Sequence, residues 1–393
     1  MQTLFLLSAL VALLSVCMFV LFEIAVARTG KVQPLKQSEI DGVLARLSVV
    51  IPARNEEEDI EEALRSVLGQ KGVELNVIVV NDHSTDQTGA ILRRLAEEDS
   101  RITVVENPPL EPRWLGKPNA MSHGIAVASD DLILFTDADV VHCPTSFATG
   151  IATLQNRGLD FLSFTPRIVC ESFWENVFIP LHLFPLTAHS ARGSNDPKSS
   201  EAWAAGAFML IKADVLRDVG GIESVKSAIL DDSELARVVK RNGHRVGYHL
   251  APKLMHVRMF KSNSHAFWGP TKNAIALTFS HPWMSVPAMG LPVLFVWLPI
   301  AAVLAGFWTH DARLIVVGLF QPIADLLGLV RIRPYCEFRW HKAIFFPLIV
   351  IPIVCVLGKA FYEQHIRGQH VWRDRVIDLA DSDFSDARRS KTR

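Results

Sequence analysis

Leu132-Ile133-Leu134-Phe135-Thr136-Asp137-Ala138-Asp139 reads as a buried strand that stops abruptly at two acidic residues spaced one apart. In an extended or tightly turned segment, residues i and i+2 point the same way, so Asp137 and Asp139 can offer carboxylate oxygens to one hard cation. Mg2+ or Mn2+ held there keeps open positions for diphosphate oxygens. The competing reading is a solvated turn at a strand end, and the neighbouring chain decides between them.

Upstream, short apolar runs alternate with helix-period segments, as βαβ units do. Leu47-Ser48-Val49-Val50-Ile51 predicts a strand, and Ile60, Ala63, Leu64, Val67 and Leu68 predict a helix whose start is fed by the acids at 56–59. Asn76-Val77-Ile78-Val79-Val80 predicts a second strand, with Asn81-Asp82-His83 as its turn. Ser84 and Gln87 then read as a capping box opening the next helix. A third strand at Ile102-Thr103-Val104-Val105 leads through a proline-rich loop to a helix near 118–128, and so to the opening strand. This repetition predicts an α/β domain with a mostly parallel sheet. Ligands bind such sheets beyond the carboxyl ends of the strands, where Asp82, Asp137 and Asp139 fall.

Composition sets the wider frame. The chain has 393 residues, 49% of them hydrophobic, and its apolar excess sits in blocks at 3–27, 290–308, 313–330 and 343–362. Each is close to the roughly 20 residues that a helix needs to cross a bilayer. Residues 1–27 read as a retained anchor rather than a signal peptide, because Met1-Gln2-Thr3 carries no side-chain positive charge and the apolar stretch is long. Arg28, Lys31 and Lys36 then put the following domain on the cytosolic side of a plasma or inner membrane. A net charge of −1 argues against nucleic acid as a partner. The five cysteines show no C-x-x-C spacing, so neither a zinc site nor a disulfide framework is indicated. Nothing in the sequence speaks to oligomeric state.

Ser48 to Glu57, Asn81 to Asp86 and Asp137-Ala138-Asp139 resemble, in order and spacing, the family 2 inverting glycosyltransferases of GT-A fold, a Rossmann-like architecture. The resemblance continues through Trp114-Leu115-Gly116-Lys117-Pro118-Asn119-Ala120, which is similar to the W-x-G-K-x-x-A loop of membrane-bound members. Ala205-Gly206-Ala207-Phe208 is similar to the acceptor-side glycine segment, and Asp231-Asp232 to the acidic pair before the catalytic helix. It covers residues 46–275. Val257-Arg258-Met259-Phe260, Trp268-Gly269 and Lys272-Asn273 resemble the segment found in hopene-associated and carotenoid-type members. The Q-x-x-R-W of processive synthases and its ceramide glucosyltransferase variant are missing, since Arg237 to Arg241 ends without tryptophan.

The resemblance implies a set of roles. Asp139 would ligate the metal, with Asp137 contacting the ribose or the metal's water shell. Asp82 would hydrogen-bond the uracil imide in a pocket completed by Pro52, Arg54 and Glu56, and Lys117 and Arg258 would meet the nucleotide or its diphosphate. Inversion requires one general base opposite the leaving group. Asp232 takes that role with Asp231 beside it, although both also read as ordinary acids at a helix start. Similarly, Asp82 also reads as a cap for the helix expected at Ser84.

The whole is expected to be a metal-dependent transferase moving one sugar from a UDP-sugar to a lipid or lipid-linked hydroxyl. Polyprenyl-phosphate sugar synthesis is the nearest alternative, and a nucleotide-binding membrane scaffold without turnover is another. A Rossmann oxidoreductase is disfavoured because no G-x-G-x-x-G follows the first strand. Residues 264–289, with Phe267, Trp268, Phe279 and Trp283, read as an interfacial segment. Residues 290–362 hold two to three spans, one of the blocks being re-entrant at Pro322 and Asp325 or at Pro347 and Pro352. Trp372-Arg373-Asp374-Arg375 resembles W-[RK]-G-R with aspartate for glycine, inside a polar tail over 363–393.

Overall fold

The structure is a computed structural model and describes residues 1–40, 45–180, 193–277, 285–372 and 375–379. The chain divides into two compact units, one comprising residues 29–168, 190–259 and 371–393, the other residues 1–28, 169–189 and 260–370.

The first unit is built on β1 (Ala45–Ala53), α2 (Ile60–Leu68), β2 (Val73–Asn81), α3 (Thr88–Glu98), β3 (Ile102–Glu106), α4 (Gly116–Ile125), β4 (Leu132–Phe135), β5 (Val140–His142), α5 (Ser146–Asn156), β6 (Phe161–Thr165), β7 (Arg167–Val169), β8 (Met209–Lys212), β9 (Val246–Leu250) and β10 (Met255–Val257). Seven strands form one sheet in the order β3-β2-β1-β4-β8-β6-β9. All run parallel except β8, which is antiparallel to both of its neighbours. Residues on successive positions feed opposite faces. Val49, Ile51, Val77, Val79 and Leu134 join one core with Ile60, Leu64, Leu92 and Phe147. Val50, Ile78, Val80, Ile133 and Phe135 join the other with Ala120, Met121 and Leu235. Burial on both faces explains why these strands read as unbroken apolar runs. At Gly124 an added Cβ would lie 2.4 Å from Val50 Cγ1, so glycine lets α4 sit directly against β1.

Pro52 belongs to the central strand β1, where a missing N–H is ordinarily costly. The β1–β4 pairing covers only Ser48 to Val50. Pro52 faces the same neighbour two residues on, past the end of β4, and deprives no ladder bond.

The capping box expected at Ser84 and Gln87 does not form. Helix α3 starts at Thr88 with Gln87 as its N-cap and no side-chain cap. The polar residues ahead of it are drawn off to the β1–α2 loop. Ser84 Oγ accepts the Asn55 N–H at 3.1 Å and Glu57 Oε2 accepts the Gln87 N–H at 2.9 Å. In return Asn55 Oδ1 accepts the Thr85 N–H at 2.8 Å, and Thr88 Oγ1 the Glu56 N–H at 2.8 Å. The reading of Asp82 as a cap at Ser84 falls with it.

A smaller sheet places β10 between β5, antiparallel, and β7, parallel. The segment after the first helix (Gln2–Thr29) joins the first unit through a parallel bridge from Lys31 to Leu250 on edge strand β9.

In the second unit, four helices among the described residues are long and apolar enough to cross a membrane: Gln2–Leu21, Met289–Thr309, Ala312–Ile332 and Trp340–Arg367. They match the four apolar blocks of the sequence. Gly318 lets the second and third of these pack closely, since an added Cβ would lie 2.6 Å from Pro299 O. Glu23 and Arg331 form a two-bonded pair at 2.8 and 2.6 Å. The last block opens with a 3-10 stretch, Trp340–Ile349, containing Pro347, before the helix Val350–Tyr362. Of the expected interfacial segment, Asn263–Trp268 and Thr271–Leu277 are helical, while Phe279 and Trp283 lie outside the described residues. So do Arg373, Asp374 and the final residues 380–393.

Candidate active site

Two groups of polar side chains lie at the carboxyl ends of β1, β2 and β4. The first surrounds Asp82. This residue is 4% exposed and follows β2, and its backbone is fixed by donation to Ala53 O at 2.8 Å. Arg54 Nη1 donates to Asp82 O at 2.8 Å, Glu56 is buried beside it, and His83 Nδ1 lies 3.2 Å from Asp82 Oδ1. Asn55 and His83 both take positive φ, 52° and 57°. Such backbone is uncommon outside glycine, and here the reciprocal loop bonds hold it. Pro52 and Arg54 at the end of β1 and Asp82 just after β2 thus lie at adjacent strand ends, with Glu56 in the loop that follows β1.

The second group centres on the acid turn between β4 and β5. Ala138 is buried in the core, and Asp137 and Asp139 flank it on the partly exposed side. Lys117, the second residue of α4, donates from Nζ to Asp137 Oδ1 at 2.6 Å and lies 3.8 Å from Asp231 Oδ2. Asp231 and Asp232 open the helix Asp231–Arg241, with Leu230 as N-cap. Asp232 Oδ1 accepts the Ser233 N–H at 2.7 Å, and its Oδ2 accepts the Gly206 N–H at 3.1 Å. One ammonium therefore links the acid turn to the acidic pair.

Glycine at position 206 leaves room for the Lys117–Asp137 contact. An added Cβ would lie 2.7 Å from Lys117 Nζ and 2.8 Å from Asp137 Oδ2. The segment around it is pinned residue by residue. Ala204 N–H donates to Ser233 Oγ at 3.4 Å, Ala205 N–H to Ser163 Oγ at 2.9 Å, and Ala207 O accepts from Thr136 Oγ1 at 2.8 Å.

The electrostatics follow from this crowding. Burial opposes the charge on Lys117, yet the carboxylates of Asp137, Asp231 and Asp232 outweigh it and hold the ammonium above its usual range. For Asp232, burial and the adjacent Asp231 push the carboxyl up to about 6, although Lys117 pulls the other way. A carboxylate tuned towards neutrality is what a general base needs.

Among the described residues no group of three or more His, Cys, Asp or Glu side chains is placed to hold a metal. Asp137 and Asp139 carry hard oxygen donors, the kind that Mg2+ and Mn2+ take. Arg258 follows β10. The register Val257↔Val140 carries it to the level of Asp139, with His256 opposite Val141.

Of the residues expected from sequence, Lys117, Asp137, Asp231 and Asp232 are in direct or near contact, and Asp139 and Arg258 lie alongside. Thr136, His142 and Ser163 were not anticipated, and Ser233 was read only with the acids at a helix start. The signal of the first three was faint: single polar residues within or at the end of buried apolar runs.

The family model for glycosyl transferase family 2 matches residues 48–220, a span that includes Asp82, Lys117, Asp137 and Asp139 and stops short of Asp231. The 4,4'-diaponeurosporenoate glycosyltransferase of Staphylococcus aureus is 29% identical over 187 residues, 47% of this chain and 48% of the relative. The chain thus spans about half the length of the curated relative it matches. Among solved structures, the mannosyltransferase PcManGT from Pyrobaculum calidifontis, in complex with GDP-Man and Mn2+, is similar with a TM-score of 0.56 at 18% identity, covering 92% of this chain and 100% of that one. That likeness is one of fold. Residues 48–220 thus resemble a family 2 glycosyl transferase domain, and the fold around them is GT-A-like.

Proposed function

We propose that this protein is a metal-dependent inverting glycosyltransferase that moves one sugar from a UDP-sugar to a lipid or lipid-linked hydroxyl at the cytosolic membrane face. The observation that carries it is the Lys117 bridge, which brings the acid turn and the Asp231–Asp232 pair into one site.

Asp139 and Asp137 would hold the Mg2+ or Mn2+, which offsets the charge that builds on the leaving diphosphate. Asp82 accepts the imide N–H of uracil, with Arg54, Glu56 and Pro52 around the base. Lys117 can turn from Asp137 to a phosphate oxygen, and Arg258, one residue past the β10–β5 pairing, would contribute a second cation. Asp232, held open by Gly206 and Ser233, takes the proton of the acceptor hydroxyl. The new bond forms from that oxygen to the anomeric carbon as the bond to diphosphate breaks on the opposite face, and UDP departs.

An apolar acceptor is supported by the four candidate spans and by the Staphylococcus aureus relative, which is named a diaponeurosporenoate glycosyltransferase. The neighbour of like fold is in complex with Mn2+ and a nucleotide sugar, which supports divalent cation use. That sugar is GDP-Man, and a carboxylate accepts from guanine N1–H as it does from the uracil imide, so Asp82 disfavours cytosine while the choice of uridine over guanosine rests on the sequence resemblance.

The test is to incubate the purified full chain in detergent with a panel of UDP-sugars and GDP-mannose, a membrane lipid extract and Mn2+, and to analyse the lipids by mass spectrometry. A UDP-sugar is expected to give a glycolipid, and excess EDTA to abolish it. Full activity in EDTA would contradict the metal role, and absence of transfer and hydrolysis with every donor would favour a non-catalytic scaffold.

A further inference from the structure

Thr136 and His142 bracket the acid turn and are both buried, at 1% and 5% exposure. Thr136 Oγ1 lies 2.8 Å from Ala207 O and 3.0 Å from His142 Nε2. A carbonyl only accepts, so the single hydroxyl proton goes to Ala207. The histidine must then be the donor in the second bond. This fixes His142 as the tautomer protonated on Nε2, with Nδ1 bare.

That bare nitrogen is buried and, among the described residues, has no hydrogen-bond partner. Two aromatic rings pack on the imidazole: Phe147 edge-on at 5.0 Å between ring centres, and Phe208 at 6.4 Å. Burial and the nearby His256 also hold the imidazole neutral, well below its usual range at about 3. Burying an unsatisfied nitrogen is unfavourable, and a leucine would fill the space without that cost. The backbone beneath the ring is anchored separately, since the main-chain N–H of His142 donates to Ser66 Oγ on α2 at 3.0 Å. Its one polar output is therefore the bond to Thr136.

The chain of contacts continues beyond that bond. It runs from α2 through His142 to Thr136, across to Ala207, and from the adjacent Gly206 N–H to Asp232 Oδ2. We propose that His142 is a positioning residue: acting through Thr136, it staples both ends of the Asp137–Asp139 turn and sets that turn's spacing from Asp232. The proposal rests on the reading of Asp137 and Asp139 as the donor acids and Asp232 as the base. His142 itself touches neither substrate nor metal.

The experiment compares the full-length wild type with His142→Leu, His142→Gln, Thr136→Val, Thr136→Ser and the Leu/Val double variant. The readouts are kcat and KM for the UDP-sugar that the wild type turns over, and UDP affinity by calorimetry with Mn2+. His142→Leu and Thr136→Val should lose at least about tenfold in kcat, because a small misalignment of reacting groups is costly, with UDP affinity changed by less than about twofold. His142→Gln, whose amide can donate from the same position, and Thr136→Ser should restore most of the rate. The double variant should be no worse than Thr136→Val alone, because both act in one chain.

Nitrogen-15 spectra of histidine-labelled wild type, assigned by the signal lost in His142→Gln, should show the Nε2-protonated tautomer. The opposite tautomer would overturn the proposal even if the variants fold poorly. So would an unimpaired His142→Leu, a His142→Gln as slow as His142→Leu, or additive losses in the double variant. A wild type that binds UDP and Mn2+ yet turns over no donor would sink the glycosyltransferase reading itself, and that result is distinct from an active wild type indifferent to His142.

Discussion

Asp232 is where local chemistry and global fold meet most closely. Its two oxygens accept from Ser233 and Gly206, while burial and Asp231 raise its pKa to about 6. A base must be unprotonated to act, so kcat/KM should fall as pH drops through about 6 and level off above it. Asp232→Asn keeps the size and one acceptor but cannot take a proton. It is expected to lower transfer by about 10²–10⁴-fold while calorimetry shows UDP and Mn2+ still bound. Transfer near the wild-type rate would move the base to Asp231. The aspartates themselves were legible in the sequence because they stand at abrupt ends of apolar runs. The contacts that pin the segment around them were not, since Thr136 to Ala207 and Ser163 to Ala205 join residues 71 and 42 apart, with no local pattern to mark them.

Elements were easier to read than contacts. The strands β1 to β4 declare themselves as short apolar runs because each is covered on both faces, and α2 by apolar residues at helical spacing. The antiparallel β8 was not legible, because a strand buried on both faces carries the same pattern whichever way it runs. The start of α3 was misread for another reason. Ser84 has cap chemistry, but its hydroxyl is taken by the neighbouring β1–α2 loop, and Asp86 divides its oxygens between that loop and the Thr88 N–H. At this scale the packing of α4 on β1 gives a test that does not involve catalysis. In Gly124→Ala the new methyl would meet Val50 at 2.4 Å, far inside contact distance. Overpacking of this kind costs about 1–3 kcal/mol, so a lowered thermal midpoint is expected, with the same circular dichroism spectrum at low temperature. An unchanged midpoint would mean that α4 can lift from the sheet without cost. Lys117 rides on α4, so in that variant the donor KM should also rise.

Across the whole molecule, the described residues hold a GT-A-like unit and a second unit with four candidate membrane spans. Length and apolar composition made the spans legible in the sequence, whereas which side of a membrane each end faces is a property neither of apolar runs nor of the fold. The chemistry assigned to the first unit makes one geometric demand on its product. In the proposed mechanism a single carboxylate, Asp232, would activate the acceptor on the face opposite a diphosphate held at Asp137 and Asp139. Attack and departure must then be in line, and the anomeric centre must invert. The most direct measurement is the proton coupling at the anomeric centre of the glycolipid made from an α-linked UDP-hexose of gluco or galacto configuration. The account predicts a β-linked product, with its large coupling, and no product from Asp232→Asn above background. An α-linked product would require a second displacement and a covalent intermediate, and would contradict the role given to Asp232.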